Sequence, residues 1–178
     1  IRDSVKGGAG TLTLSGANTF TGGVTVGSGT VLAGHDQAFG SGAVAISTGA
    51  TVSSASTVPR SFANDFSLNG SVTLGNGTNL GALTWSGAGT LTANTTVTTP
   101  SVVTLGGAIV GGFALTKAGT SVLTLSGSNA FTGGVVVTGG TLQIGNDAGL
   151  GSGLLTLNTA GVTVSSDSGT GRLMSNGF

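Results

Sequence analysis

Cysteine and glutamate are absent from this 178-residue chain, which holds one histidine, two prolines and one tryptophan. A chain of this length buries roughly 70% of its unfolded surface in one domain, so it needs neither a disulfide nor a metal staple. The lack of cysteine suits an exported protein held by packing and hydrogen bonds, yet cysteine-free chains occur in every compartment. Charge is scarce as well: 6% of residues are charged, against about 25% in a typical soluble domain, and five acids balance five bases. No electrostatic partner follows. Arg2, Lys6, Arg60, Lys117 and Arg172 are scattered along the chain, whereas a nucleic-acid binder clusters its cations against phosphates. No apolar run approaches the roughly 20 residues of a membrane-spanning helix, and the opening IRDSVKGGAG lacks the apolar core of a signal peptide. This stretch is therefore expected neither to insert in a membrane nor to carry its own export signal. It begins just before one copy of a repeat and stops soon after the other, which reads as a piece of a longer chain.

What the chain has instead is Gly, Thr, Ser and Asn, which supply 96 of its residues, and a repeat. Residues 12–48 return at 123–159, with 20 of 37 aligned positions identical. Both copies share one core, LTLSGANTFTGGVTV and LTLSGSNAFTGGVVV, and Lys6 aligns with Lys117. A duplication of this kind marks a repeat architecture, in which each unit buries its apolar face only against its neighbours. Hydrophobic residues still make up 38% of the chain and occur in short alternating runs, which argues against disorder.

Glycine and β-branched residues recur too densely for any stretch to hold a helical apolar period, so all regular structure is expected to be strand. Candidate strands lie at 11–15, 24–26, 30–34, 43–47, 71–75, 82–86 and 90–94. Further candidates are 101–105, 113–117, 122–126, 135–137, 141–145, 154–158 and 162–166. The copies settle which side chains face inward. TVLAG at 30–34 is ambiguous alone, but its copy TLQIG places Gln143 opposite Leu32, so Val31, Ala33, Leu142 and Ile144 point in. By the same alternation Leu12, Leu14, Val24, Val26, Val44 and Ile46 are expected in the core, with Leu123, Leu125, Val135, Val137, Leu155 and Leu157 in the copy.

Two all-β folds use such strands, an antiparallel sandwich and a parallel β-helix. The spacing favours the second: 111 residues divide into five coils of about 22, near the length of a three-sided coil. Asn-Gly hairpin pairs are sparse, at 69–70, 76–77 and 176–177 only. A third GAGTLT-like piece, at 87–92, repeats the pattern within the unit. The expectation is a single β-helical segment over 1–178 of roughly eight coils, near 38 Å long at ~4.8 Å per coil. Repeat signatures occupy 6–55 and 117–168, and linking coils occupy 56–116.

Chemistry is thin. The acids are Asp3, Asp36, Asp65, Asp147 and Asp167. Asp36 and Asp147 hold equivalent places in HDQAFGSG and NDAGLGSG, where they suit turns that bond their own backbone. His35 aligns with Asn146 and reads as a turn residue, and it forms no Ser–His–Asp set. Gly145-Asn146-Asp147 resembles a calcium nonapeptide but stands alone, while such sites need tandem turns. Thr11-x-Thr13 and Thr90-x-Thr92 fit an ice-binding array, but the copy replaces Thr11 by Val122 and Thr19 by Ala130. Asn18 and Asn129 are expected to bond neighbouring backbone at a corner that Phe20 and Phe131 cover. Trp85 is either packed or a contact residue. No catalytic, cofactor or metal residue is assigned.

The strings Gly-Thr-Leu-Thr-Leu-Ser-Gly at 10–16, Asn-x-Phe-Thr-Gly-Gly at 18–23 and Gly-Thr-Val at 29–31, with 129–134 and 140–142 in the copy, resemble the autotransporter-associated β-strand repeat of bacterial passenger domains. The resemblance implies a right-handed parallel β-helix, exported and displayed at or released from a Gram-negative-type surface. The family's membrane barrel has no counterpart here, and Phe178 reads as a chance cut point and not as a barrel's terminal aromatic. The resulting expectation is a non-enzymatic rod that spaces or presents an adhesive region. Its partners would be neighbouring repeats, a second copy stacked end to end, or a host or neighbouring cell surface, with no nucleic acid and no cofactor. A polysaccharide-acting β-helix enzyme and an ice-binding solenoid are the alternatives.

Overall fold

The computed structural model describes residues 3–79, 81–169 and 171–177, so Arg2 and Phe178 lie outside the described residues. The chain winds as a solenoid in which every strand pairing among the described residues is parallel, so that each strand lies beside its equivalent one coil away. Three sheets form the three faces. The first runs β1 (Ser4–Lys6), β3 (Val24–Val26), β5 (Val44–Ile46), β8 (Phe66–Leu68), β11 (Gly89–Leu91), β14 (Ile109–Val110). The second has eight strands, one for each coil: β2 (Thr11–Leu14), β4 (Gly29–Ala33), β6 (Ala50–Ser54), β9 (Ser71–Leu74), β12 (Thr95–Thr98), β15 (Leu115–Ala118), β17 (Val135–Val137), β19 (Leu155–Leu157). The third runs β7 (Arg60–Phe62), β10 (Leu83–Trp85), β13 (Val103–Leu105), β16 (Val122–Leu125), β18 (Thr141–Ile144), β20 (Thr163–Ser166).

Strand pairing revises the winding expected from the duplication. In the first copy β2 lies on the second face, but its copy β16 lies on the third; β3 and β17 differ in the same way. The 111-residue offset is thus five and one-third coils, and the second copy sits a third of a turn round the axis. Register offsets explain the difference from five coils of 22: Val24 pairs with Val44, Leu83 with Val103 and Leu115 with Val135, each 20 residues on. Leu12 pairs with Val31 after 19, and only Thr73 to Thr98 stretches to 25.

All fourteen candidate strands are present within a residue or two at each end, apart from 90–94, which is β11 shifted towards its start. Six more strands form from sequence with little apolar alternation: β1, β6, β7, β8, β12 and β14. A polar segment such as Thr95–Thr98 becomes strand because it is hydrogen-bonded on both sides, to Ser71–Thr73 and to Leu115–Ala118.

The core is a stack of aliphatic rows, as the alternation predicts. Val24, Val26, Val31, Ala33, Val44 and Ile46 are buried, as are Leu123, Leu125, Val135, Val137, Leu142, Ile144 and Leu155. Leu12 (39% exposed), Leu14 (half-buried) and Leu157 (53% exposed) depart from that expectation. All three lie on the inward register but on the first or last strand of the second sheet, where only one neighbouring coil covers them. Trp85 is core, with its ring 4.7 Å from Phe62, 5.4 Å from Phe66 and 5.8 Å from Phe39.

Candidate functional site

The signature Asn-x-Phe-Thr-Gly-Gly builds a corner that breaks the three-sided plan. After β2 and after β16 the chain makes no strand on the next face, and it makes none there on the following coil either. This two-coil corner is held by asparagine. Asn18 Nδ2 donates to Ala38 O at 2.7 Å, and Asn129 Nδ2 donates to the equivalent Gly149 O at 2.6 Å. Asn129 Oδ1 also accepts from Ile109 N–H at 2.8 Å, in the preceding coil. Asn18 has no such partner, because no described coil precedes its own; accordingly Asn129 is 6% exposed and Asn18 half-buried. The same difference separates Phe131, fully buried, from Phe20, half-buried.

From the far side each corner is closed by a second asparagine. Asn64 Nδ2 donates to Gly40 O at 3.1 Å and Gly42 O at 2.7 Å. Asn176 Nδ2 does the same to Gly151 O at 3.1 Å and Gly153 O at 2.7 Å. These clamps were not anticipated, although a signal exists: TVSS at 51–54 and Arg60-x-x-x-Asn64 return at 163–166 and 172–176, displaced by 112 because the second copy holds one more residue before Thr163.

Within the corner, the turn-forming role expected of Asp36 and Asp147 falls one residue earlier. His35 Nδ1 accepts from Gln37 N–H at 3.0 Å, and Asn146 Oδ1 accepts from Ala148 N–H at 2.9 Å. Asp36 instead reaches into the next coil, where Oδ1 accepts from Ser61 N–H at 3.2 Å and lies 3.8 Å from the Arg60 guanidinium. Asp147 is exposed.

Lysine is the second departure. Lys117, one of the cations scattered along the sequence, occupies an inward position in the row Val97–Lys117–Val137 and is fully buried. Its ammonium donates to Ala118 O, Gly119 O and Gly139 O at 2.8, 3.0 and 3.0 Å. Lys6 repeats the arrangement with Gly7 O, Gly8 O and Ser28 O at 3.1, 2.8 and 3.1 Å. Each ammonium thus fastens the corner of its own coil to the next coil. Burial pushes the Lys117 pKa down to about 8, since the apolar interior disfavours the charged form.

The remaining acids serve the ladder. Asp3 Oδ1 accepts from Gly23 N–H at 2.9 Å, and Asp65 Oδ1 accepts from Ala88 N–H at 2.8 Å; Asn94 Oδ1 does the same for Ala114 N–H at 3.0 Å. Asp3 and Asp65 share the rim of one shallow groove, but three rungs separate them, about 14 Å at the usual strand spacing. Paired carboxylates that cleave glycosides stand roughly 5–9.5 Å apart. Asp167 pairs with Arg172 at 2.8 Å.

The threonines sort by face. Thr11-x-Thr13 lies on the second sheet and Thr90 on the first, so the two expected pairs do not share an array. A different row forms by register: Thr11, Thr30, Thr51, Thr73 and Thr98 stand one above another on the outer side of the second sheet. Beside it runs a groove of about 490 Å³, walled by the 75–79 loop and Pro100, with no charged residue among its described lining.

Comparison with known proteins falls on these same elements. A family model described as the passenger-associated-transport-repeat matches residues 5–33 and 115–144, that is, β1 to β4 and β15 to β18 with the lysine corner and the Asn-x-Phe signature. A 38-residue stretch is 53% identical to the Adhesin BmaC autotransporter of Brucella suis biovar 1 (strain 1330). That alignment covers 21% of this chain and 1% of the adhesin. No solved structure matches the chain. The chain is a parallel β-solenoid, two segments of which match the passenger-associated-transport-repeat and resemble autotransporter passenger sequence.

Proposed function

We propose that this segment is a rigid, non-enzymatic rod of a bacterial surface protein, which spaces or presents an adhesive region outside the cell. The observation that carries the reading is where the polar side chains are spent. Asn18, Asn64, Asn129, Lys6, Lys117, Asp3 and Asp65 bond backbone of adjacent coils, which are the bonds a spacer needs. The similarity to an autotransporter adhesin supports export to the surface of a Gram-negative-type cell. Eight coils at ~4.8 Å give a rise of about 34 Å from the first strand of the second sheet to the last.

Three measurements test the reading. Deleting the segment from its full-length protein should lower a distal epitope by a few nanometres, measured by atomic force microscopy on cells; an unchanged height refutes the spacer. Beads coated with the purified chain should adhere to host or sister-cell layers above albumin-coated controls, and equal adherence refutes the adhesive part. Partnership by end-to-end stacking predicts concentration-dependent oligomers in sedimentation, and monomers throughout would remove it.

A further inference from the structure

The three Asn-Gly pairs of the chain are chemically alike, and the fold treats them differently. Such a pair is prone to intramolecular attack, because glycine leaves its backbone nitrogen unshielded and its own torsions free. Asn69 is tied down: its Nδ2 donates to Thr92 Oγ1 at 3.0 Å, its N–H donates to Ile46 O, and Gly70 sits at φ +67° against the Thr48 side chain. Asn176 is the buried clamp described above, with Nδ2 bonded to two carbonyls, and Gly177 O accepts from Leu155 N–H. Asn76 is held instead through its amide oxygen. Its Oδ1 accepts from Thr78 N–H and Thr78 Oγ1–H, each at 3.0 Å, and from Asn79 N–H, while nothing lies within 4 Å of the position a Gly77 Cβ would take.

We propose that Asn76 is a self-modification site, at which the Gly77 nitrogen closes on the Asn76 amide carbon and converts the asparagine to an acidic residue. The Gly77 N–Cγ bond forms as the peptide proton passes to hydroxide, and negative charge develops on Oδ1. Three donors already converge on that oxygen, which is the arrangement that stabilises a tetrahedral adduct. The Cγ–Nδ2 bond then breaks, and the nitrogen takes a proton from water and leaves as ammonia. Water opens the resulting five-membered imide at either carbonyl, to give aspartate or isoaspartate. The net change is one water consumed and one ammonia released, with no oxidation or reduction.

The product matters because of where it forms. Asn76 lines the threonine groove, whose described walls carry no charge, so conversion places one carboxylate there and gives a neutral chain a net charge of −1. In the aspartate product the carboxylate keeps all three donors. In the isoaspartate product an added methylene in the backbone displaces the loop.

The test is peptide mapping by mass spectrometry of the purified chain, incubated at mildly alkaline pH in water enriched in oxygen-18, folded and in guanidinium. In the folded chain Asn76 should take up one label while Asn69 and Asn176 lag at least about tenfold, or ~1.4 kcal/mol in barrier. In guanidinium the three rates should converge. Gly77→Ala should suppress labelling at Asn76, and Thr78→Val, which removes one donor, should slow it without changing the other two sites. Equal rates at all three sites in the folded chain would overturn the proposal, as would a folded rate at Asn76 below its rate in guanidinium.

Discussion

Replacing Asn129 by alanine isolates what the signature asparagine contributes. The substitution leaves two groups without partners, Gly149 C=O and Ile109 N–H, which now meet Asn129 at 2.6 and 2.8 Å. Both lie in the interior of the corner, where Asn129 itself is 6% exposed. An orphaned buried donor or acceptor costs about 1–3 kcal/mol, so Asn129→Ala should destabilise by about 2–6 kcal/mol. Asn18→Ala, in the equivalent corner, loses one bond at a half-exposed site and should cost about 1 kcal/mol. For a chain of this size each kcal/mol lowers the melting temperature by roughly 2–4 °C, which predicts a drop of about 4–24 °C for Asn129→Ala. Far-UV circular dichroism on both variants, with hydrogen exchange at Ile109, provides the assay. Because solenoids lose structure coil by coil, the exchange measurement is the sharper one: protection should fall first at the corner. If Asn129→Ala melted within about 0.5 kcal/mol of the parent, or no worse than Asn18→Ala, the assignment of the two bonds as structural would be refuted.

Leu125→Asp places an unpaired charge in the buried row Leu105–Leu125–Ile144 and should abolish cooperative unfolding, whereas a near-parental melt would contradict the inward register. Gly151→Ala adds a Cβ 2.2 Å from Phe131 O at φ +63°, and should reduce stability by at least about 1–2 kcal/mol in chemical denaturation. Lys117 supplies a pH test. Its pKa falls from 10.5 to about 8 on folding, so between these values the unfolded chain binds more protons and stability should rise with pH, by at most about 3 kcal/mol. Cysteine and tyrosine, which would titrate in that window, are absent, and Lys117→Met should flatten the rise; a slope unchanged in Lys117→Met would assign it elsewhere.

Much of this architecture is local and therefore legible in one dimension. A row of inward valines needs only alternation, and the contrast of Leu32 with Gln143 settled a direction that neither copy settles alone. The matched asparagines and phenylalanines marked a corner because both copies keep them at the same distance from the strands. What stayed hidden depends on which coil lies beside which. A 111-residue offset reports similarity and carries no count of turns; only the lengths of the intervening coils, from 19 to 25 residues, decide that the copies sit a third of a turn apart. Lys117 looked like a surface cation because residue type argues for solvent, and its burial rests on three carbonyls, one of them 22 residues away. The Asn64 and Asn176 clamps are likewise bonds across 22–25 residues. The amino-acid sequence alone determined that this is an all-β repeat with aliphatic rows and asparagine corners, since those follow from alternation and turn chemistry. The tertiary structure decided the winding, the buried lysine and the second set of clamps, because in a parallel solenoid every stabilising hydrogen bond of the ladder joins residues about one coil apart.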